Sequence, residues 1–141
     1  MKIRLLSVGK DKGETLALAG EYAGRIARFA EIEVIELKAS DPAREAAALT
    51  EKALKGELWA LDQRGTELSS EELAKRISPL RSGSLTLCIG GDEGLDPAFR
   101  SRARFTWSLS KLTLPHRLAR VVVLEQIYRA FEIIRGAPYH K

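Results

Sequence analysis

The chain has 141 residues, a net charge of +4 and ordinary hydrophobic content, which bounds it to one domain that folds without staples. A lone cysteine, Cys88, excludes an intramolecular disulfide and any cysteine-only zinc site, and two histidines, His116 and His140, leave no His-rich metal centre. No stretch approaches the ~20 apolar residues of a membrane span, and the first apolar run is too short for a signal-peptide core, so a soluble, cytoplasmic protein without metal or membrane partners is expected.

Ile3 to Val8 is a short apolar run closed by Gly9 and Gly13, which reads as a buried strand. Leu18, Tyr22, Ile26 and Phe29 recur at helical spacing across 14–29. Ile32 to Leu37 alternates as a strand does, and Asp41-Pro42 caps a helix predicted over 42–55, ended by Gly56. Leu58 to Leu61 is a third strand, and a Ser69-x-x-Glu72 capping box opens a helix toward Leu80. Leu85 to Ile89 is a fourth strand running straight into Gly90-Gly91-Asp92-Glu93-Gly94. Asp96-Pro97 starts another helix, and Phe105 to Leu109 forms a fifth strand.

The run from Leu118 to Ile134 is too long for a strand and is read as a helix despite Val121, Val122 and Val123. These valines and Leu124 cover every side of one turn, so either the core surrounds the helix or a partner subunit covers its outer face. Strand and helix alternate throughout. The expected fold is therefore α/β, a mainly parallel sheet with helices on both faces, binding ligands at the carboxyl ends of its strands.

Charge is unevenly placed. Residues 1–80 carry 13 Lys and Arg against 14 Asp and Glu, whereas residues 81–141 carry 10 against 5. No carboxylate lies between Pro97 and Leu124, where Arg100, Arg102, Arg104, Lys111, Arg117 and Arg120 fall. That cluster suits phosphate and predicts a nucleic-acid face, to which Lys141 adds a cation; a solvated basic surface is the alternative.

Three segments are candidates for chemistry. The glycine loop 90–94 follows the fourth strand and is neither a GxGxxG fingerprint nor a P-loop, which disfavours NAD and ATP; without a ligand it is a tight turn. The loop Ser108 to His116 carries Leu112 and Leu114 beside Pro115 and could form an apolar slot for a planar base, or serve as a plain connector. The tail, Pro138-Tyr139-His140-Lys141, packs a ring, an imidazole and a cation into its last three residues.

Ile89-Gly90-Gly91-x-Glu93-Gly94-Leu95, Trp107-Ser108-Leu109-Ser110-x-Leu112-Thr113-Leu114-Pro115-His116, Glu125-Gln126-x-Tyr128-Arg129-Ala130 and Pro138-Tyr139-His140 together resemble the ribosomal RNA large subunit methyltransferase H family. That family belongs to the SPOUT class of S-adenosylmethionine-dependent methyltransferases, which carry a C-terminal trefoil knot. The resemblance implies methylation of N3 of a pseudouridine in the helix-69 loop of 23S rRNA, within assembled ribosomes, by a homodimer. It places the cofactor at Leu61, Gly90, Gly91 and the run Ser110, Lys111, Leu112, Thr113, Leu114 and Pro115. It places catalysis or the RNA side at His116, Arg129, Tyr139 and His140. Asp92 stands where some members have proline, and Lys141 where others have arginine. An imide nitrogen attacks well only as its proton leaves, so the C-terminal cations are expected to favour the anion and His140, or else His116, to take the proton. Two alternatives stay open on sequence: a non-enzymatic rRNA-binding or assembly factor, and a SPOUT enzyme acting on a tRNA base.

Overall fold

The structure, a computed structural model, describes residues 1–141. In chain order it runs β1 (Lys2–Val8), α1 (Gly13–Ile26), β2 (Glu31–Leu37), α2 (Pro42–Lys52), β3 (Glu57–Glu67), α3 (Ser70–Ile77), a 3-10 turn (Ser78–Leu80), β4 (Ser84–Ile89), α4 (Pro97–Arg102), β5 (Phe105–Ser108) and α5 (His116–Ile134). The strands form one all-parallel sheet in the order β2-β1-β4-β3-β5.

Both faces are covered, which is why the central strands read as continuous apolar runs. Leu5 and Leu6 are adjacent, point to opposite faces and are both fully buried. Ile3, Leu5, Leu85, Leu87 and Trp59 pack with α1, α3 and α5, while Leu6, Val8, Ala60 and Cys88 pack with α2 and α4. Connections that step toward the β2 edge, through α1 and α3, use the first face; those that step toward the β5 edge, through α2 and α4, use the second. All four crossovers therefore share one hand, as right-twisted parallel strands require. Cys88 sits in the second core, where burial pushes its thiol up to about 12; it is a packing residue, not a nucleophile.

Two local expectations are revised. α2 ends at Lys52 rather than residue 55, because Ala53 is extended and the Leu54 N–H donates to the Thr86 hydroxyl on β4 at 3.0 Å. β3 runs to Glu67 instead of stopping at Leu61. Its pairing with β5 jumps from Leu61↔Trp107 to Thr66↔Trp107, so residues 62–65 leave the ladder as a bulge. Gly65 is required there by space: a Cβ on it would collide with the Thr106 carbonyl. Of the two readings left open for α5, enclosure by the core does not hold. Val123, Leu124, Ile127 and Phe131 are buried, but Leu118 and Val122, one turn apart, stay exposed.

Candidate functional site

A cavity of about 800 Å³ opens at the carboxyl ends of β3, β4 and β5, within the usual size range of small-molecule sites. Three segments wall it: Leu61 to Arg64 from the β3 bulge, Ile89 to Gly94 from the glycine loop, and the stretch from Trp107 into the start of α5. The glycine loop folds back on itself through a bridge between Gly91 and Gly94, closed by the Gly94 N–H donating to the Gly91 carbonyl at 2.9 Å. A Cβ on Gly90 would lie 2.6 Å from the Gly94 backbone, so only glycine permits the turn. Across the cavity, Ser108 Oγ donates to the Ser110 carbonyl and the Leu112 N–H donates to Ser110 Oγ, shaping the second loop from within.

Asp62 is the charged anchor of this site. Burial pulls its carboxyl up, but hydrogen bonds from the Arg64 side chain and N–H and from Arg100 outweigh that and hold it at about 2. The carboxylate stays ionised at neutral pH. Sequence reading missed it, although its place directly after a strand end was a usable signal.

Leu61, Gly90, Gly91, Ser110, Leu112, Thr113, Leu114 and Pro115 all line the cavity, whereas Lys111, between two of them, does not and is exposed. His116 lines it too, but its Nε2 is buried without a partner against Gly9. The basic cluster is not one face. Arg120 is 1% exposed and is no RNA-facing cation: its guanidinium meets Asp11 Oδ2 at 2.5 Å and donates to Ser7 Oγ at 2.6 Å. Arg104 lies 3.7 Å from Glu57 at the amino-terminal ends of β3 and β5, the opposite edge from the cavity. Arg100 is committed to Asp62, and Arg102 reaches Thr50 on α2. Near the cavity mouth, Arg117 and exposed Lys111 are the cations that remain.

The tail is docked on its own chain, away from the cavity. Tyr139 packs edge-on against Tyr128 with centroids 4.8 Å apart, and the Arg129 guanidinium lies 4.7 Å from the Tyr139 ring centre. Arg129 Nε donates to Glu125 Oε1 at 2.7 Å. His140 has both ring nitrogens engaged, Nδ1 at 3.0 Å from Arg129 Nη1 and Nε2 at 2.5 Å from Glu71 Oε1. A ring so held has no free nitrogen to take a proton, which removes the geometric basis for His140 as a general base in this arrangement. Arg129 and His116 stand at opposite ends of α5, about 20 Å apart at ~1.5 Å per residue, so one chain does not bring its tail to its own cavity.

The family model described as predicted SPOUT methyltransferase matches residues 1–140. A protein named ribosomal RNA large subunit methyltransferase H from Geobacter sp. (strain M21) is 43% identical, covering 99% of this chain and 99% of the relative. Its namesake from Limosilactobacillus fermentum is 42% identical and covers 100% of both. Among solved structures, a methylase family protein from Haemophilus influenzae Rd KW20 matches with a TM-score of 0.62 at 13% identity, covering 99% of this chain and 70% of that one. A Legionella pneumophila methyltransferase solved with bound SAM matches at 0.57 and 13%, covering 93% and 66%. These two likenesses are of fold.

Proposed function

The chain belongs to the SPOUT methyltransferase family, and from that premise we propose that it transfers a methyl group from S-adenosylmethionine to large-subunit ribosomal RNA. The observation that carries this reading is the cavity itself. The glycine loop and the 108–116 loop, both singled out on sequence, converge there at the carboxyl ends of the strands. Its residues fit the cofactor: Leu61, Ile89 and Leu114 offer an apolar wall to a planar base, and Asp92 and Glu93 put carboxylates at the cavity for a cation. When bound, S-adenosylmethionine supplies a methyl group on a sulfonium, open to in-line displacement.

The finer reading, suggested by the family resemblance, is methylation of N3 of a pseudouridine in the helix-69 loop of 23S rRNA on assembled ribosomes, by a homodimer. Support for the dimer comes from the separation of cavity and tail, and from exposed Leu118 and Val122 on α5 together with exposed Leu112 at the cavity. In this reading the tail of a second copy sets Arg129, Tyr139 and His140 beside the acceptor. Arg129 is permanently charged, and its Nη2 donates to no group in the chain, so it is suited to favour the imide anion as the proton leaves. Lys111, Arg117 and Lys141 would hold phosphates. The trefoil knot belongs to the same proposal, on the family resemblance.

Titration calorimetry with S-adenosylmethionine is expected to show one site per chain. Gly90→Ala, which forces the glycine-loop backbone apart, should weaken it at least about tenfold, the worth of one lost hydrogen bond. Absence of heat with the unaltered chain would leave a non-enzymatic rRNA-binding factor as the better reading.

A further inference from the structure

We propose that Glu71 is a positioning residue for the reaction: by accepting from His140 Nε2 it fixes the imidazole tautomer whose bare Nδ1 holds the Arg129 guanidinium. The inference rests on the reading of Arg129 as the cation that faces the acceptor.

The tautomer follows from the partners. A guanidinium only donates, so His140 Nδ1, 3.0 Å from Arg129 Nη1, must accept; a carboxylate only accepts, so Nε2, 2.5 Å from Glu71 Oε1, must carry the hydrogen. Without Glu71 only the Arg129 contact opposes the other tautomer, and a ring that carries its hydrogen on Nδ1 turns away from the guanidinium. The charged groups around the imidazole are Glu71 from α3 and Arg129 and Glu125 from α5, with Lys141 next in the chain. The Glu71 carboxyl is held below its usual range by its hydrogen bond with His140.

A second thread reaches the same guanidinium independently. Ser70 Oγ donates to Gln126 Oε1 at 2.6 Å, Gln126 Nε2 donates to Glu125 Oε2 at 3.1 Å, and Glu125 Oε1 accepts from Arg129 Nε. Two consecutive residues at the start of α3 therefore each begin a path to Arg129, one through the tail and one along α5. The two paths fix Nε and Nη1 and leave Nη2 free for a ligand. This closed ring accounts for the Glu125-Gln126-x-Tyr128-Arg129 and Pro138-Tyr139-His140 motifs together. Glu71 itself, with 59% of its side chain exposed, contributes little packing, so a purely structural role would predict a silent substitution.

The test compares Glu71→Ala with Glu71→Gln, whose amide oxygen still accepts from Nε2–H. On the free protein, with 15N-labelled histidine, the wild type is expected to show His140 as the Nε2–H tautomer, Glu71→Gln to keep it, and Glu71→Ala to show a mixture. In single-turnover methylation of ribosomes, Glu71→Ala is expected to slow transfer about tenfold or more, the usual effect of losing a group that orients a functional side chain. Affinity for S-adenosylmethionine should be unchanged, and Glu71→Gln should restore most of the rate. An unchanged imidazole spectrum in Glu71→Ala, or a rate equal to wild type, overturns the proposal. The spectrum is read without substrate, so it tests the relay even if the RNA reading fails.

Discussion

Replacing Arg120 by methionine is expected to lower stability by about 3–5 kcal/mol, because it strips the partner from a buried carboxylate while keeping the bulk of the side chain. Asp11 and Arg120 are 4% and 1% exposed, and they tie the start of α1 to α5. Asp11 Oδ1 accepts from the Lys12 N–H and the Thr15 hydroxyl, while its other oxygen meets the guanidinium. Burial pulls the Asp11 carboxyl up, yet these hydrogen bonds from Thr15, Arg120 and Lys12 hold it below its ordinary value. In the single variant the charge loses its chief counterion but not its burial. The double variant Asp11→Asn, Arg120→Met should recover much of the loss, since a neutral amide retains the turn at α1 and leaves no buried isolated charge; Glu36, 3.8 Å from Arg120, is 35% exposed. Chemical denaturation at pH 7 measures both. A single-variant loss below about 1 kcal/mol, the range of a surface pair, would show that the pair is solvated.

The second large effect concerns assembly. Gly90→Ala disables the cavity and Arg129→Met the tail, so each variant alone is expected to be nearly inactive. Co-expressed in equal amounts, they should recover about a quarter of wild-type activity. Random pairing makes half the dimers mixed, and each mixed dimer carries one intact site of two. The reasoning is geometric: the cavity lies at the amino end of α5, and the Arg129 ring lies about 20 Å down the same helix. Activity no greater than the sum of the separate variants would mean that each chain completes its own site.

How far the sequence foretold this molecule depended on whether the signal was local. The alternation of strands and helices, the Asp41-Pro42 and Asp96-Pro97 starts and the Ser69 cap are local, and Ser69 does accept from the Glu72 N–H. The strand order was not legible, because parallel strands joined by helices are compatible with several orders. The β3 bulge was missed because Asp62-Gln63-Arg64-Gly65 is polar and looks like a loop, while its return to the ladder at Thr66 is set by Trp107 on another strand. Charge counting treated Arg120 as equal to its neighbours, since burial beside Asp11 is invisible in a list of cations. The end of α2 was displaced by the Thr86 hydroxyl, a tertiary acceptor beyond the reach of any local pattern.

At the site, both loops that line the cavity were marked by their glycines and leucines before any fold was drawn. The ring around Arg129 was not. Its members come from α3, α5 and the tail, and only folding brings Glu71 to His140. On the proposal made above, the tail has another use: His140 would hold Arg129 and act as a positioning group rather than as the proton acceptor favoured on sequence. A substitution of His140 should accordingly lower the rate at every pH from 6 to 9 rather than remove one limb of the profile.

The central claim is tested most directly by methyl transfer from labelled S-adenosylmethionine to three substrates in parallel: assembled ribosomes, free 23S rRNA and tRNA. Label in the large-subunit rRNA of assembled ribosomes, lost with Gly90→Ala, is the result expected here. Label confined to tRNA, or none in any RNA, would contradict it.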